Sequence, residues 1–150
     1  MAGLVLVESA KAPESSLVGK VFIKVSNASI PVLSKLFRIL LGSDVYCHLP
    51  PSTILPHPYG IVINHRARIG RHVIILHQVT IGVAHYTKVA APRIEDEVYI
   101  GAGAKILGDI TVGRGAMVGA NAVVTSDVPA GGAAVGFNII RAAPPDDVVP

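Results

Sequence analysis

The sequence holds one cysteine, Cys47, and no tryptophan. A lone thiol forms no internal disulfide, so packing alone must hold the fold, and the expected address is cytoplasmic. Charged residues make up only 15% of the chain, which argues against a disordered, self-repelling polymer. The net charge of +3 is spread without a Lys/Arg block or basic–aromatic interleaving, so nucleic acid is not an expected partner. Long hydrophobic runs are missing too. The most apolar stretch, IPVLSKLFRILLG at 30–42, is shorter than a bilayer span and carries Lys35 and Arg38. The opening MAGLVLVESAKA has too short an apolar run for a signal peptide, so neither a leader nor a membrane span is expected.

What is present is a β-rich composition in one domain's length. Hydrophobic residues reach 51% of 150, enough for one core, and Ala, Val, Ile and Gly dominate where a helical protein would show Leu-rich runs. These residues recur on a fixed comb. Every sixth position carries Ile63, Ile69, Ile75 and Ile81, and the series resumes as Ile94, Ile100, Ile106, Val112, Val118 and Val124. Four residues after each leader but Ile81 lies another small or branched apolar residue: Ala67, Val73, Val79, Val98, Ala104, Ile110, Ala116, Ala122 and Val128. Each hexad thus has two inward positions. Gly70, Gly82, Gly101, Gly113 and Gly119 follow leaders at the expected corners.

A period of six fits neither a helix nor a long alternating strand, and fixed-period self-similarity marks a solenoid. Three hexads make one triangular turn of parallel strands. The fold class read from this pattern is all-β: a left-handed parallel β-helix of four to five coils with a short N-terminal α-helix. Val45/Leu49 and Pro51/Leu55 keep the register, which divides the chain into an N-terminal segment 1–44, a β-helix 45–135 and a C-terminal tail 136–150. Ser29 and Pro31 predict a helix start, with Ile30, Leu33, Leu36, Phe37, Leu40 and Leu41 as its stripe over about 30–41, docked on the solenoid's open end. Residues 1–28 show no clear pattern. Between Ile81 and Ile94 the register slips by one residue across GVAHYTKVAAPR, which predicts a bulge or short excursion.

The motifs HPYGIVI at 57–63, QVTIG at 78–82 and IGAGAKILGDITVG at 100–113 resemble the serine acetyltransferase branch of the hexapeptide-repeat acyltransferases, and relatives in polysaccharide biosynthesis. The likeness covers about residues 30–141. It implies a homotrimer, an acetyl-CoA donor, no metal and a histidine base at a site between subunits. His57 occupies the family's catalytic position, Gly82 begins its glycine-rich turn, and Ala102 and Ala120 match residues lining the CoA tunnel. Lys105 is a further candidate CoA contact beside the plainer reading of a solvated lysine. The family places an aspartate before its histidine, where this chain has Pro56, and a second histidine where this chain has Ala91. Met117 stands in place of a CoA-binding lysine. Sugar acetyltransferases of the galactoside type carry their histidine just after a VTIG-like segment, and His85 resembles that placement, so His57 and His85 compete as the base.

Histidine suits this chemistry because its unperturbed pKa near 6.5 lets it accept an alcohol proton at neutral pH. His77 follows Tyr59 by one coil's length, which stacks them as candidate substrate-binding residues. His65 and His72 fall between inward positions and read as surface residues. The leading expectation is acetyl transfer from acetyl-CoA to a hydroxyl of a sugar or polysaccharide precursor, with serine as the alternative acceptor. Two further readings remain. His72 and His77 have the five-residue spacing of a gamma-class carbonic anhydrase, although Leu36 stands where a third ligand would be. A non-catalytic trimeric scaffold would account for the missing aspartate and second histidine.

Overall fold

The structure is a computed structural model that describes residues 14–28, 31–85 and 90–143. Short parallel strands stack into three faces. Face 1 is formed by β1 (Asp44–Val45), β2 (Val62–Ile63), β5 (Thr80–Gly82), β8 (Lys105–Leu107) and β11 (Val123–Val124). Face 2 comprises β3 (Arg68–Ile69), β6 (Arg93–Ile94) and β9 (Thr111–Val112). Face 3 contains β4 (Ile74–Ile75), β7 (Tyr99–Ile100), β10 (Met117–Val118) and β12 (Ala133–Val135), with β13 (Ile139–Arg141) at its edge. The chain crosses faces 1, 2 and 3 in turn, and each strand bonds to its counterpart one coil away.

The hexad comb sets this geometry. In-register neighbours such as Ile63, Ile81 and Ile106 fall in one column, and Ile75 aligns with Ile100. Every leader from Ile63 to Val124 is buried except the half-buried Ile69, and the residue four places later is buried after every leader but Ile81, which the exposed His85 follows. Two inward side chains per hexad fill the prism, and the removal of that apolar area from water is the main favourable term. Gly101 answers to a close approach: a Cβ there would sit 2.6 Å from the Ala120 nitrogen in the next coil. The positive φ that glycine tolerates is needed elsewhere, two residues further on. At the corner between faces 3 and 1 it falls on Gly60, Gln78, Gly103 and Asn121.

The interruption after Ile81 is larger than a one-residue slip. Thr80 aligns with Lys105, twenty-five residues on, whereas Val62 aligns with Thr80 and Lys105 with Val123 at eighteen. The insertion is therefore seven residues, one hexad plus one, and a period-six series registers only the remainder. It leaves the prism between β5 and β6; residues 86–89 lie outside the described residues.

The end of the solenoid corrects the expectation of a single docked helix. The described residues form two helices, α1 (Leu17–Asn27) and α2 (Pro31–Leu41). The segment without a clear pattern supplies the cover. Ser16 caps α1 by accepting the Gly19 N–H at 3.0 Å, and Phe22 and Ile23 join the solenoid core. The Asn27 side chain accepts the Leu49 N–H and donates to the Leu49 carbonyl, serving the first coil's backbone as a neighbouring strand would. In α2 only Leu41 of the expected stripe is found buried, and Leu36 and Leu40 are exposed. Ser29 and Ile30 lie outside the described residues, as do the side chains of Leu33 and Phe37. At the far end β13 turns back antiparallel on β12, and residues 144–150 again lie outside.

Candidate active site

His57 does not occupy the inward position that the period assigns to it. Ile54 bridges to Ile74 and Val62 aligns with Thr80, so eight residues in the first coil face six in the second. The two extra residues swell the LPHPYG corner outward. Leu55 and Ile61 fill the core on either side, and His57 stands exposed between Pro56 and the buried Pro58. Two prolines restrict the backbone of this bulge. From beneath, the fully buried Ser43 hydroxyl donates to the Pro58 carbonyl at 2.8 Å and accepts the Ile61 N–H at 3.0 Å. The Gly60 N–H donates to the Leu41 carbonyl at the end of α2. Ser43 was not singled out from sequence because it lies just before the first hexad, where the period carries no information.

The corner between faces 3 and 1 continues upward as a column. Gln78 N–H donates to the Tyr59 carbonyl at 2.7 Å, Gly103 N–H to that of His77 at 2.9 Å, and Asn121 N–H to that of Ala102 at 2.8 Å. Tyr59, His77, Ala102 and Ala120 therefore hold equivalent positions in successive coils. The His57 and His77 rings meet edge to face, with centroids 6.2 Å apart and planes at 73°. Lys105 reaches back along this corner, its Nζ donating to the Gln78 carbonyl at 2.7 Å. Six of the eight residues singled out from sequence thus gather on one corner: His57, Tyr59, His77, Ala102, Lys105 and Ala120.

Gly82 and His85 do not join them. Gly82 ends β5 at the corner between faces 1 and 2, where its carbonyl accepts the Gly108 N–H, and His85 is exposed in the excursion that follows. Within one chain the two candidate bases lie on different corners. His72 and His77 likewise flank β4 at opposite ends, and among the described residues no group of three His, Cys, Asp or Glu is arranged to hold a metal ion. Cys47 is half-buried, and burial pushes its thiol up to about 11, so it is protonated and a poor nucleophile at neutral pH. No helix among the described residues is long and apolar enough to cross a membrane.

Comparison with known proteins agrees with the repeat. Residues 91–126 match the family described as bacterial transferase hexapeptide (six repeats). The serine acetyltransferase of Helicobacter pylori is 39% identical over 107 residues, covering 69% of this chain and 63% of that protein. That of Bacillus licheniformis is 37% identical, covering 70% of this chain and 50% of that protein. Among solved structures, Vibrio cholerae serine acetyltransferase superposes with a TM-score of 0.63 at 32% identity, covering 84% of this chain and 54% of that one. The Neisseria gonorrhoeae serine acetyltransferase in complex with serine gives a TM-score of 0.61 at 31% identity, covering 80% and 52%. The chain spans between half and under two thirds of the length of these relatives. They overturn the expectation of a sugar or polysaccharide-precursor acceptor and favour the serine alternative. That expectation leaned on Pro56 and Ala91, two local changes of side chain, whereas the likeness to serine acetyltransferases extends through the coils. By its repeat, its coil architecture and these relatives, the chain belongs to the hexapeptide-repeat acyltransferases, in their serine acetyltransferase-like branch.

Proposed function

We propose that this protein is an acetyl-CoA-dependent O-acetyltransferase whose acceptor is the hydroxyl of serine, with His57 as the general base. One observation carries the reading: His57 is held outward on a braced bulge beside a second imidazole, at the foot of a column whose next members are alanines. An alcohol is a feeble nucleophile at neutral pH, and an imidazole that removes its proton during attack contributes about 10²- to 10⁴-fold. Ala102 and Ala120 leave room for the pantetheine arm to lie against the backbone. Lys105 steadies the Gln78 carbonyl beside His77, and Tyr59 borders the acceptor side.

The same reading takes the solenoid as left-handed and as the catalytic unit over 45–135, with 1–44 and 136–150 as its flanks. It takes the enzyme as a homotrimer in which Gly82 and His85 of one subunit approach the His57 corner of the next. A cytoplasmic setting suits it, since a free thiol such as Cys47 stays reduced there.

The test is release of free CoA from acetyl-CoA on addition of L-serine, followed with a thiol reagent. Serine-dependent release is the expected result. Acetyl-CoA binding without release in the presence of serine would overturn the serine transferase reading and leave the scaffold alternative.

A further inference from the structure

We propose that His77 is a second catalytic residue, whose ring N–H donates to the thioester carbonyl oxygen while His57 takes the hydroxyl proton. This rests on the acetyl-transfer reading and adds a division of labour between two histidines that the sequence pattern does not assign. The order of side chains along one corner carries the argument. Adjacent coils are separated by about 4.8 Å. In the column that runs from Ala120 through Ala102, those two residues offer only methyl groups, and the first polar side chain is that of His77. His57 lies beyond it, on the bulge of the first coil. A thioester at the end of the pantetheine arm presents its carbonyl to His77, and the acceptor hydroxyl enters from the His57 side.

The ring geometry fits two tasks on neighbouring atoms. With centroids 6.2 Å apart, no hydrogen bond joins the imidazoles, so neither consumes the other's donor or acceptor. A reacting group between them can be met by both at ordinary hydrogen-bond lengths of about 2.8 Å. Backbone donors at this corner are partly committed, because the Gln78, Gly103 and Asn121 N–H groups already bond to the preceding coil. The glycine turn at Gly82 lies at the other end of β5 and cannot serve the His57 corner of its own chain.

The step balances as follows. The hydroxyl proton passes to a His57 ring nitrogen as the oxygen bonds to the thioester carbon. The carbonyl π pair moves onto its oxygen, where the His77 N–H stabilises the charge. Collapse re-forms the carbonyl and breaks the C–S bond, and the leaving thiolate takes the proton from His57. The products are the O-acetyl ester and free CoA, with both histidines restored.

Three variants and one spectrum test this. His77→Ala should lower kcat by about 10²-fold with little change in KM for acetyl-CoA, the signature of a lost oxyanion donor. His77→Gln, which keeps an N–H donor, should recover part of that loss, and His77→Phe, which keeps the ring's bulk, should recover none. A His77→Phe enzyme near wild-type rate, or an effect confined to KM for serine, overturns the proposal. Independently of turnover, the His77 side-chain ¹⁵N resonances should respond to acetyl-CoA and not equally to free CoA; an identical response overturns it. If the wild type releases no CoA with serine yet His77 responds to the acetyl group, the serine reading falls and the placement of His77 stands. If acetyl-CoA does not bind, both fall.

Discussion

Two corners of the same prism share one backbone plan and carry opposite chemistry. Between faces 3 and 1, positive φ falls on Gly60, Gln78, Gly103 and Asn121; between faces 2 and 3 it falls on His72, Glu97, Gly115 and Gly131. The first corner is lined by histidines and small residues, and its charged member, Lys105, is tied to a backbone carbonyl. The second is laced with ion pairs: Arg71 meets Asp96 at 3.1 Å, Arg114 meets Glu97, and Glu95 accepts the Arg114 N–H. Repetition fixes where side chains point and leaves their identity free, so chemistry can be placed on one edge without cost to the stack. The salt-bridged edge is exposed, where water and salt screen such pairs and each contributes little.

The contrast breaks most sharply at His57. His57→Ala should lower kcat by about 10²- to 10⁴-fold with acetyl-CoA affinity little changed, because the lost group acts in the transition state. Arg71→Ala on the other corner should leave steady-state rates unchanged. Equal losses from both substitutions would mean that His57 is only structural. Ser43→Ala, next in size, strands the Ile61 N–H and the Pro58 carbonyl in the core at a cost of about 1–3 kcal/mol. Chemical denaturation should show that loss, and kcat should fall as well because the bulge beneath His57 is no longer pinned. A destabilised variant with full kcat would separate Ser43 from the site.

How far the sequence foretold this molecule follows the same division. The prism was legible because every inward position repeats one demand, apolar and compact, and Ile63, Ile81 and Ile106 report it alike. The corner residues Tyr59 and His77, one coil apart, could be aligned by counting, as could Ala102 and Ala120, but the step from His77 to Ala102 crosses the insertion and could not. Departures from the count were hidden by it: the bulge at His57 looks like an inward histidine, and the seven-residue insertion looks like a slip of one. The helices carry no repeat, so α1, which covers the first coil through Phe22 and Asn27, left no periodic trace, while the conspicuous stripe of α2 drew the docking role. The acceptor was misread because Pro56 and Ala91 describe the neighbourhood of one side chain, not the coils that carry the family likeness.

The shared backbone plan has its own test. A Cβ at Gly101 would meet the Ala120 nitrogen at 2.6 Å, and one at Gly113 would meet the Ala130 nitrogen at 2.5 Å. Both obstacles are backbone, which cannot swing aside as a flexible side chain does. Gly101→Ala and Gly113→Ala should therefore destabilise to similar extents, each by about 1–3 kcal/mol of overpacking, measured as loss of denaturation midpoint. Only Gly101→Ala, beside the Ala102/Ala120 track, should also raise KM for acetyl-CoA. A rise in both would show that the two edges are not chemically separate.

The smallest effect concerns acid. Hydrogen bonds from the Arg71 backbone and side chain hold Asp96 below its ordinary value of 3.8, and the hydrogen bond from Arg114 holds Glu97 below 4.5. A carboxyl whose folded pKa is depressed contributes stability that is fully present above its unfolded value and is lost as pH falls through the folded one. These two groups therefore add nothing to the pH dependence near neutrality and act only below about pH 4.5. Both are solvent-exposed, so salt should weaken them further. Melting temperature measured from pH 6 down to 3 should fall slightly more steeply for the wild type than for Asp96→Asn/Glu97→Gln, with the difference shrinking in added salt. A double variant whose acid slope matches the wild type at low salt would mean that this edge contributes no net charge pairing, and that its ladder orients arginine side chains without stabilising the fold.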